Sequence, residues 1–311
     1  MINYLIFSIS ILFYFLIYYY IFKKLNRFTG IVSGVGFIIP FLILIFTFFH
    51  NLFILYFIII SLLSLIYWYD DYKGLGIFFR LSLQFIAGFV CFFLIIDPTN
   101  FDNYIYFFLF SLFFGFWNIF LVNTINFYDG DDLNVSVLII TIFSFFYFSG
   151  ISSTDINKII ILVLIFITFF SLFNLFFNKY YFGDSGCFAI ANIINLILIT
   201  GFLSEEFNYN IALSPLILPI IDVIYVILKR KKMKESLVTR NFYHLYQRIS
   251  LKINGFWYIS PTIILPLIIL FMNYSVMEKI FSNQLIILVF DLLIVILFYI
   301  IVLKTIKKFL N

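Results

Sequence analysis

The stretch Tyr104–Asp132, YIYFFLFSLFFGFWNIFLVNTINFYDGDD, decides how this chain is read. From Tyr104 to Tyr128 it carries no charged side chain, and the next four residues hold Asp129, Asp131 and Asp132. An apolar run of that length crosses a bilayer as a helix, because about 20 residues rising about 1.5 Å each span the hydrocarbon core. The aspartates after it mark the return of the chain to water.

The same pattern recurs on both sides. Apolar runs cover 3–22, 32–49, 51–68, 79–96, 104–122, 135–150, 158–177, 186–203, 210–228, 256–272 and 284–303. Hydrophobic residues make up 64% of the 311 and charged residues only 11%, against about 25% charged in soluble domains. No soluble architecture hides so much apolar surface. The sequence therefore predicts an all-α, polytopic integral membrane protein of about eleven (10–11) transmembrane helices. It reads as a single transmembrane domain over residues 1–311, with no room for a soluble one. The second and third runs are separated only by His50 and Asn51, which predicts a tight helical hairpin. The first run is too long for a signal-peptide core and lacks a small-residue cleavage site, so it counts as a span. Cys91 and Cys187 lie in or at the edge of apolar runs and read as packing residues rather than a disulfide.

Basic residues set the orientation. With the N-terminus outside and eleven spans, the inner loops hold Lys23, Lys24, Arg27, Lys73, Arg80, Lys179, the cluster from Lys229 to Lys252, and Lys304, Lys307 and Lys308. Only Lys158 and Lys279, of the 19 basic residues, fall outside. The predicted C-terminus is cytoplasmic.

On the inner side stand three acidic clusters: Asp70 with Asp71, then Asp129, Asp131 and Asp132, then Asp184. Each flanks apolar helices that must pack together, so all three can meet in one pocket at the membrane surface. Carboxylates crowded together repel unless a cation neutralises them. Oxygen ligands favour Mg²⁺ or Mn²⁺, with substrate phosphates completing the shell. The chain has only two His and two Cys, which argues against zinc. Asn123, Asn126, Asp129 and Asp132 recur every three residues. They form one polar stripe if the helix continues past the membrane edge, or an Asn/Asp-rich turn if it does not. Gly130 lets the backbone leave the helix or approach a ligand closely.

Four segments in order resemble the polyprenyl-phosphate N-acetylhexosamine-1-phosphate transferase family. Its members include MraY-type enzymes of peptidoglycan synthesis and WecA-type initiators of surface polysaccharides. The segments are Asp70-Asp71-Tyr72-Lys73-Gly74-Leu75 with Arg80-Leu81-Ser82-Leu83-Gln84; Asn123 to Asp132; Asn174, Lys179 and Tyr181-Phe182-Gly183-Asp184-Ser185-Gly186; and His244-Leu245-Tyr246-Gln247-Arg248. The resemblance covers about residues 28–250 and is closest to the O-antigen and capsule initiators. It implies transfer of a HexNAc-1-phosphate from a UDP-sugar to undecaprenyl (polyprenyl) phosphate. UMP is released, and a lipid-linked glycan such as O-antigen, capsule or teichoic acid is begun.

The resemblance also implies a place in the cell (plasma) membrane, a bacterial inner membrane, and a set of site roles. Asp184 is a Mg²⁺ ligand with Asp71 nearby. Asp70 either accepts a proton from the lipid phosphate, orients it, or acts as a nucleophile. Asn123, Asn126, Asp129 and Asp132 serve the nucleotide and metal side, and Lys73, Asn174, Lys179, His244, Gln247 and Arg248 complete substrate binding. The expected partners are the polyprenyl phosphate and a UDP-N-acetylhexosamine, with no nucleic acid, and a homodimer is left open.

The sequence departs from the family in places. The N-terminal cytoplasmic segment is shortened to Asn26–Gly36, which shifts any lipid-phosphate role toward Lys23, Lys24 and Arg27. Asp131 adds a charge where an apolar residue is usual, and Cys187 replaces a usual Ser. Asp222 reads as a support residue facing the bundle. Asp291, deep in the last span, reads as the partner of a polar group on a neighbouring span. Pro215 and Pro219 predict a kinked ninth span, which either opens a lateral groove for a prenyl chain or is a plain packing kink. The rival classes are a secondary transporter and a catalytically inactive paralogue. Transporters place carboxylates near the bilayer midplane, whereas here they stand at span ends.

Overall fold

The computed structural model describes residues 2–25, 31–47, 53–150, 153–177, 180–202, 207–236, 242–277, 280 and 283–308. Among the described residues twelve α-helices follow in order: α1 Ile2–Leu25, α2 Ile39–Thr47, α3 Ile54–Lys73, α4 Ile77–Ile95, α5 Tyr104–Tyr128, α6 Asn134–Phe148, α7 Thr154–Phe176, α8 Gly183–Phe202, α9 Tyr209–Lys232, α10 Leu245–Ser250, α11 Ser260–Met272 and α12 Gln284–Lys308. Among the described residues there is no β-strand beyond one isolated bridge, Val32 to Tyr180.

Nine of the helical segments in the described residues are long and apolar enough to cross a membrane. The expected second and sixth spans are shorter. Residues 35–46 form a 3-10 turn running into α2, and α6 covers only Asn134–Phe148. The second run starts late because Val32 bonds to the chain before α8, and Gly34 takes a left-handed φ of 81°. His50 and Asn51, the expected hairpin turn, lie outside the described residues, although α2 and α3 do pack together. Large apolar side chains lie exposed on several helices, among them Phe13, Phe113, Phe116 and Leu297. In lipid this surface is in its proper solvent. Cys91 and Cys187 are both buried free thiols.

The described residues fall into two compact units. In the first, Met1–Ser136 with Ile151–Phe207, α8 is the hub and packs against α2, α3, α4 and α5. Its side chains are buried nearly throughout, and polar groups tie it to its neighbours. Tyr56 donates to the Asn192 carbonyl (2.7 Å), and Asn118 donates to the Gln84 carbonyl (2.7 Å) and the Asn192 side chain (3.3 Å). Such bonds fix helix register where lipid gives no hydrophobic drive between helices.

In the second unit, Val137–Gly150 with Asn208–Asn311, α9 packs on α11 and α12. Pro215 and Pro219 both stand inside α9. Asn273 donates to Asp291 at 2.9 Å, the polar pairing expected for that aspartate.

Candidate active site

The site of the first unit is built on the N-terminus of α8. Four backbone N–H groups at a helix start lack intrahelical partners and carry partial positive charge. Two carboxylates from other segments meet them. Asp129 accepts from Phe182 N (3.4 Å) and Gly183 N (2.8 Å). Asp71 accepts from Asp184 N (2.8 Å), Ser185 N (3.3 Å) and the Ser185 hydroxyl (2.6 Å). Two of the acidic clusters are thereby drawn onto the third.

Close backbone approach makes this possible. Gly183 has φ 85°, and a Cβ there would collide with the backbone nitrogen of Gly34. Residues 31–36 run alongside: Tyr181 N donates to the Val32 carbonyl (2.8 Å) and Gly36 N to the Phe182 carbonyl (3.3 Å). Tyr18 and Tyr72 both donate to the Ser33 carbonyl, at 2.7 and 3.0 Å. The part of the shortened N-terminal segment that is described is thus stitched into the site, while Arg27 lies outside the described residues.

Asp70 and Asp184 meet through Arg80, in the first turn of α4. Its Nη1 stands 2.9 Å from Asp184 Oδ2 and 3.4 Å from Asp70 Oδ2. Tyr67 donates to the Arg80 carbonyl at 2.7 Å, and Leu75 N donates to Asp70. The Asp70 side chain is 3% exposed, against 29% for Asp184 and 31% for Arg80. Asn126 adds a side-chain hydrogen bond to Asp184. Repulsion among the carboxylates is therefore relieved inside the protein, by one guanidinium and a helix N-terminus.

Burial raises the Asp129 carboxyl to about 6, against the lowering pull of its two backbone donors and with a further push from Asp184. Asp132 is raised too, by partial burial and by Asp131. The polar stripe does not run its expected length. α5 ends at Tyr128, Asp129 is its C-cap, and Asp132 stands exposed in the following turn. Leu133 in that turn takes a left-handed φ of 62°, which carries the chain away from the helix axis.

The remaining expected residues fall into place unevenly. Asn123 donates to the Gln84 side chain at 2.9 Å. Asn174, 4% exposed, accepts from Leu133 N (2.5 Å) and donates to the Tyr180 carbonyl (2.7 Å), so it clamps two loops. Lys73 is exposed at the end of α3, and Lys179 lies outside the described residues. His244, Gln247 and Arg248 belong to the second unit. There His244 and Gln247 are buried, and Gln247 Oε1 accepts from His244 N at 3.3 Å. Arg80 and Ser185 stand in the quoted motifs, yet their bonding roles carry no signal in spacing. Both are set by which helices meet.

The donor set suits a hard cation in kind: apart from Arg80, the side chains gathered around Asp184 offer oxygen or amide groups. Among the described residues no three His, Cys, Asp or Glu converge on a common metal position. Mg²⁺ does not need such a cage, because it commonly holds one or two carboxylates and completes its shell with water and substrate phosphate. The partly exposed Asp184 side chain meets that requirement.

No curated protein matches the sequence. Residues 52–202 match the family model for glycosyl transferase family 4. That segment contains Asp70, Asp71, Arg80, Asn126, Asp129, Asn174 and Asp184, with the whole of α8. The match takes in every residue of the carboxylate and guanidinium cluster, and over that segment this membrane protein is similar to glycosyl transferase family 4.

Proposed function

We propose that this protein moves a HexNAc-1-phosphate from a UDP-N-acetylhexosamine to a polyprenyl phosphate at the cytoplasmic face of the membrane. The observation that carries the reading is the Arg80 bridge: one guanidinium, partly exposed, between a buried Asp70 and a partly exposed Asp184. Phosphoryl transfer between two anions needs charge neutralisation and in-line placement more than covalent help.

In this reaction an oxygen of the lipid phosphate bonds to the β-phosphorus of the donor. The bond from that phosphorus to the α–β bridging oxygen breaks, and UMP leaves with the electron pair. Asp70, beside Arg80, takes the proton of the lipid phosphate or orients it. Arg80 swings between its carboxylate partners and the incoming phosphates. Asp184 is the assigned ligand for Mg²⁺, or Mn²⁺, which when bound neutralises pyrophosphate oxygens. Any share of Asp71 in that ion competes with the three donors it already accepts from. Asn126 and Asp129 hold Asp184 and the start of α8 in place, and His244, Gln247 and Arg248 read the donor.

The test is transfer of labelled sugar phosphate to prenyl phosphate in membranes containing the chain, with a panel of UDP-HexNAc donors, with and without EDTA. Transfer that EDTA stops, and that Asp184→Asn abolishes in an inserted protein, is the expected result. No transfer from any donor, or near-normal turnover by Asp184→Asn, overturns the reading.

A further inference from the structure

Asp222 lies within α9 with none of its surface exposed. A carboxylate so buried is costly unless donors surround it. Three donors do, from two other stretches of chain. His244 Nδ1 is 2.8 Å from Oδ2, while Leu245 N and the Tyr299 hydroxyl stand 2.9 and 2.7 Å from Oδ1. Tyr299 is 3% exposed in α12, and its ring packs edge-on against Tyr225 at 5.3 Å. All of these residues belong to the second unit.

An ionised carboxylate only accepts hydrogen bonds, so the proton between Asp222 and His244 sits on Nδ1. When the ring is neutral, that arrangement fixes its tautomer and leaves Nε2 as the acceptor. Tyr299 and Leu245 hold the other carboxylate oxygen, which stops the carboxylate from rotating and carrying the ring with it. We propose that Asp222 and Tyr299 are positioning residues that lock the tautomer and direction of the His244 ring. The last helix, outside the segment matched to the family, would thereby set the geometry of a donor-reading loop. This use of the loop rests on the proposed function; the locking of the ring does not.

The chain has two histidines, so His50→Gln leaves His244 as the only one. Imidazole ¹⁵N spectra of that protein in nanodiscs should show Nδ1 protonated. Tyr299→Phe, which keeps the ring and removes one hydroxyl, should add the other tautomer, and Asp222→Asn should do so more strongly. In transfer assays Tyr299→Phe should lose about tenfold in kcat/KM for the donor, the scale of losing an outer-shell partner, with the KM for prenyl phosphate unchanged. Tyr225→Phe keeps the packing and should match the parent in both measurements. An unchanged spectrum and unchanged donor kinetics in Tyr299→Phe overturn the proposal. A changed spectrum in a protein that transfers no sugar phosphate supports the locking and overturns the proposed reaction instead.

Discussion

Replacing Arg80 with Ala tests the organisation of the site most directly. Loss of the guanidinium leaves two carboxylates facing each other, one of them 3% exposed. A hydrogen bond to a charged group contributes about 1.5–3 kcal/mol. The contact to Asp184 is short at 2.9 Å, but both side chains are near 30% exposed, so solvent screening reduces it to about 1 kcal/mol. The contact to Asp70 is longer at 3.4 Å, yet its loss strands a buried charge, for about 2 kcal/mol. Together Arg80→Ala should destabilise the protein by about 3 kcal/mol. Arg80→Lys should recover part of this, because a single nitrogen makes both contacts. The assay is denaturant unfolding in detergent, with Asp70→Asn as the second arm of a cycle. Since Asp70→Asn removes the stranded charge, the double variant should be more stable than the sum of the singles by about 1 kcal/mol or more. Strict additivity, or an Arg80→Ala protein as stable as the parent, would refute the idea that Arg80 neutralises the pair.

Three further outcomes follow from the same geometry. Gly183→Ala drives a Cβ into the backbone of Gly34 at a left-handed φ, so it should fail to yield stable protein, as read by monodisperse yield in detergent. Asn174→Leu strands Leu133 N and the Tyr180 carbonyl, and thermal unfolding should show a loss of about 2–4 kcal/mol. Asp129 is raised from 3.8 to about 6, so the native state binds more protons than the unfolded one between those values. Its contribution is present below about pH 4 and is lost as pH rises through about 6. Asp129→Asn should therefore flatten the fall of Tm across that window, and an unchanged slope would count against the shift.

The membrane class and most helices were legible in the sequence, because lipid imposes a long uninterrupted apolar run on any segment that crosses it. The acidic clusters were legible for the same reason: apart from single aspartates such as Asp222 and Asp291, charge gathers at span ends, so Asp70, Asp71, Asp129 and Asp184 stand out against the apolar background. Two local outcomes were not. The run 32–49 looks uniform, yet Val32 and Gly36 bond to the chain before α8 instead of opening a regular α-helix. The spacing of Asn123, Asn126, Asp129 and Asp132 suits a helix, yet the backbone turns away after Tyr128.

What each carboxylate faces depended wholly on tertiary structure. Asp70 and Asp71 are adjacent in sequence, and successive helical positions point about 100° apart. One therefore reaches Arg80 while the other reaches the start of α8. The same holds for Tyr299, a Tyr among many in an apolar helix until Asp222 is found at 2.7 Å. Hydropathy is a property of each segment and survives in one dimension; hydrogen-bond partners are a property of two segments at once, and only packing brings them together.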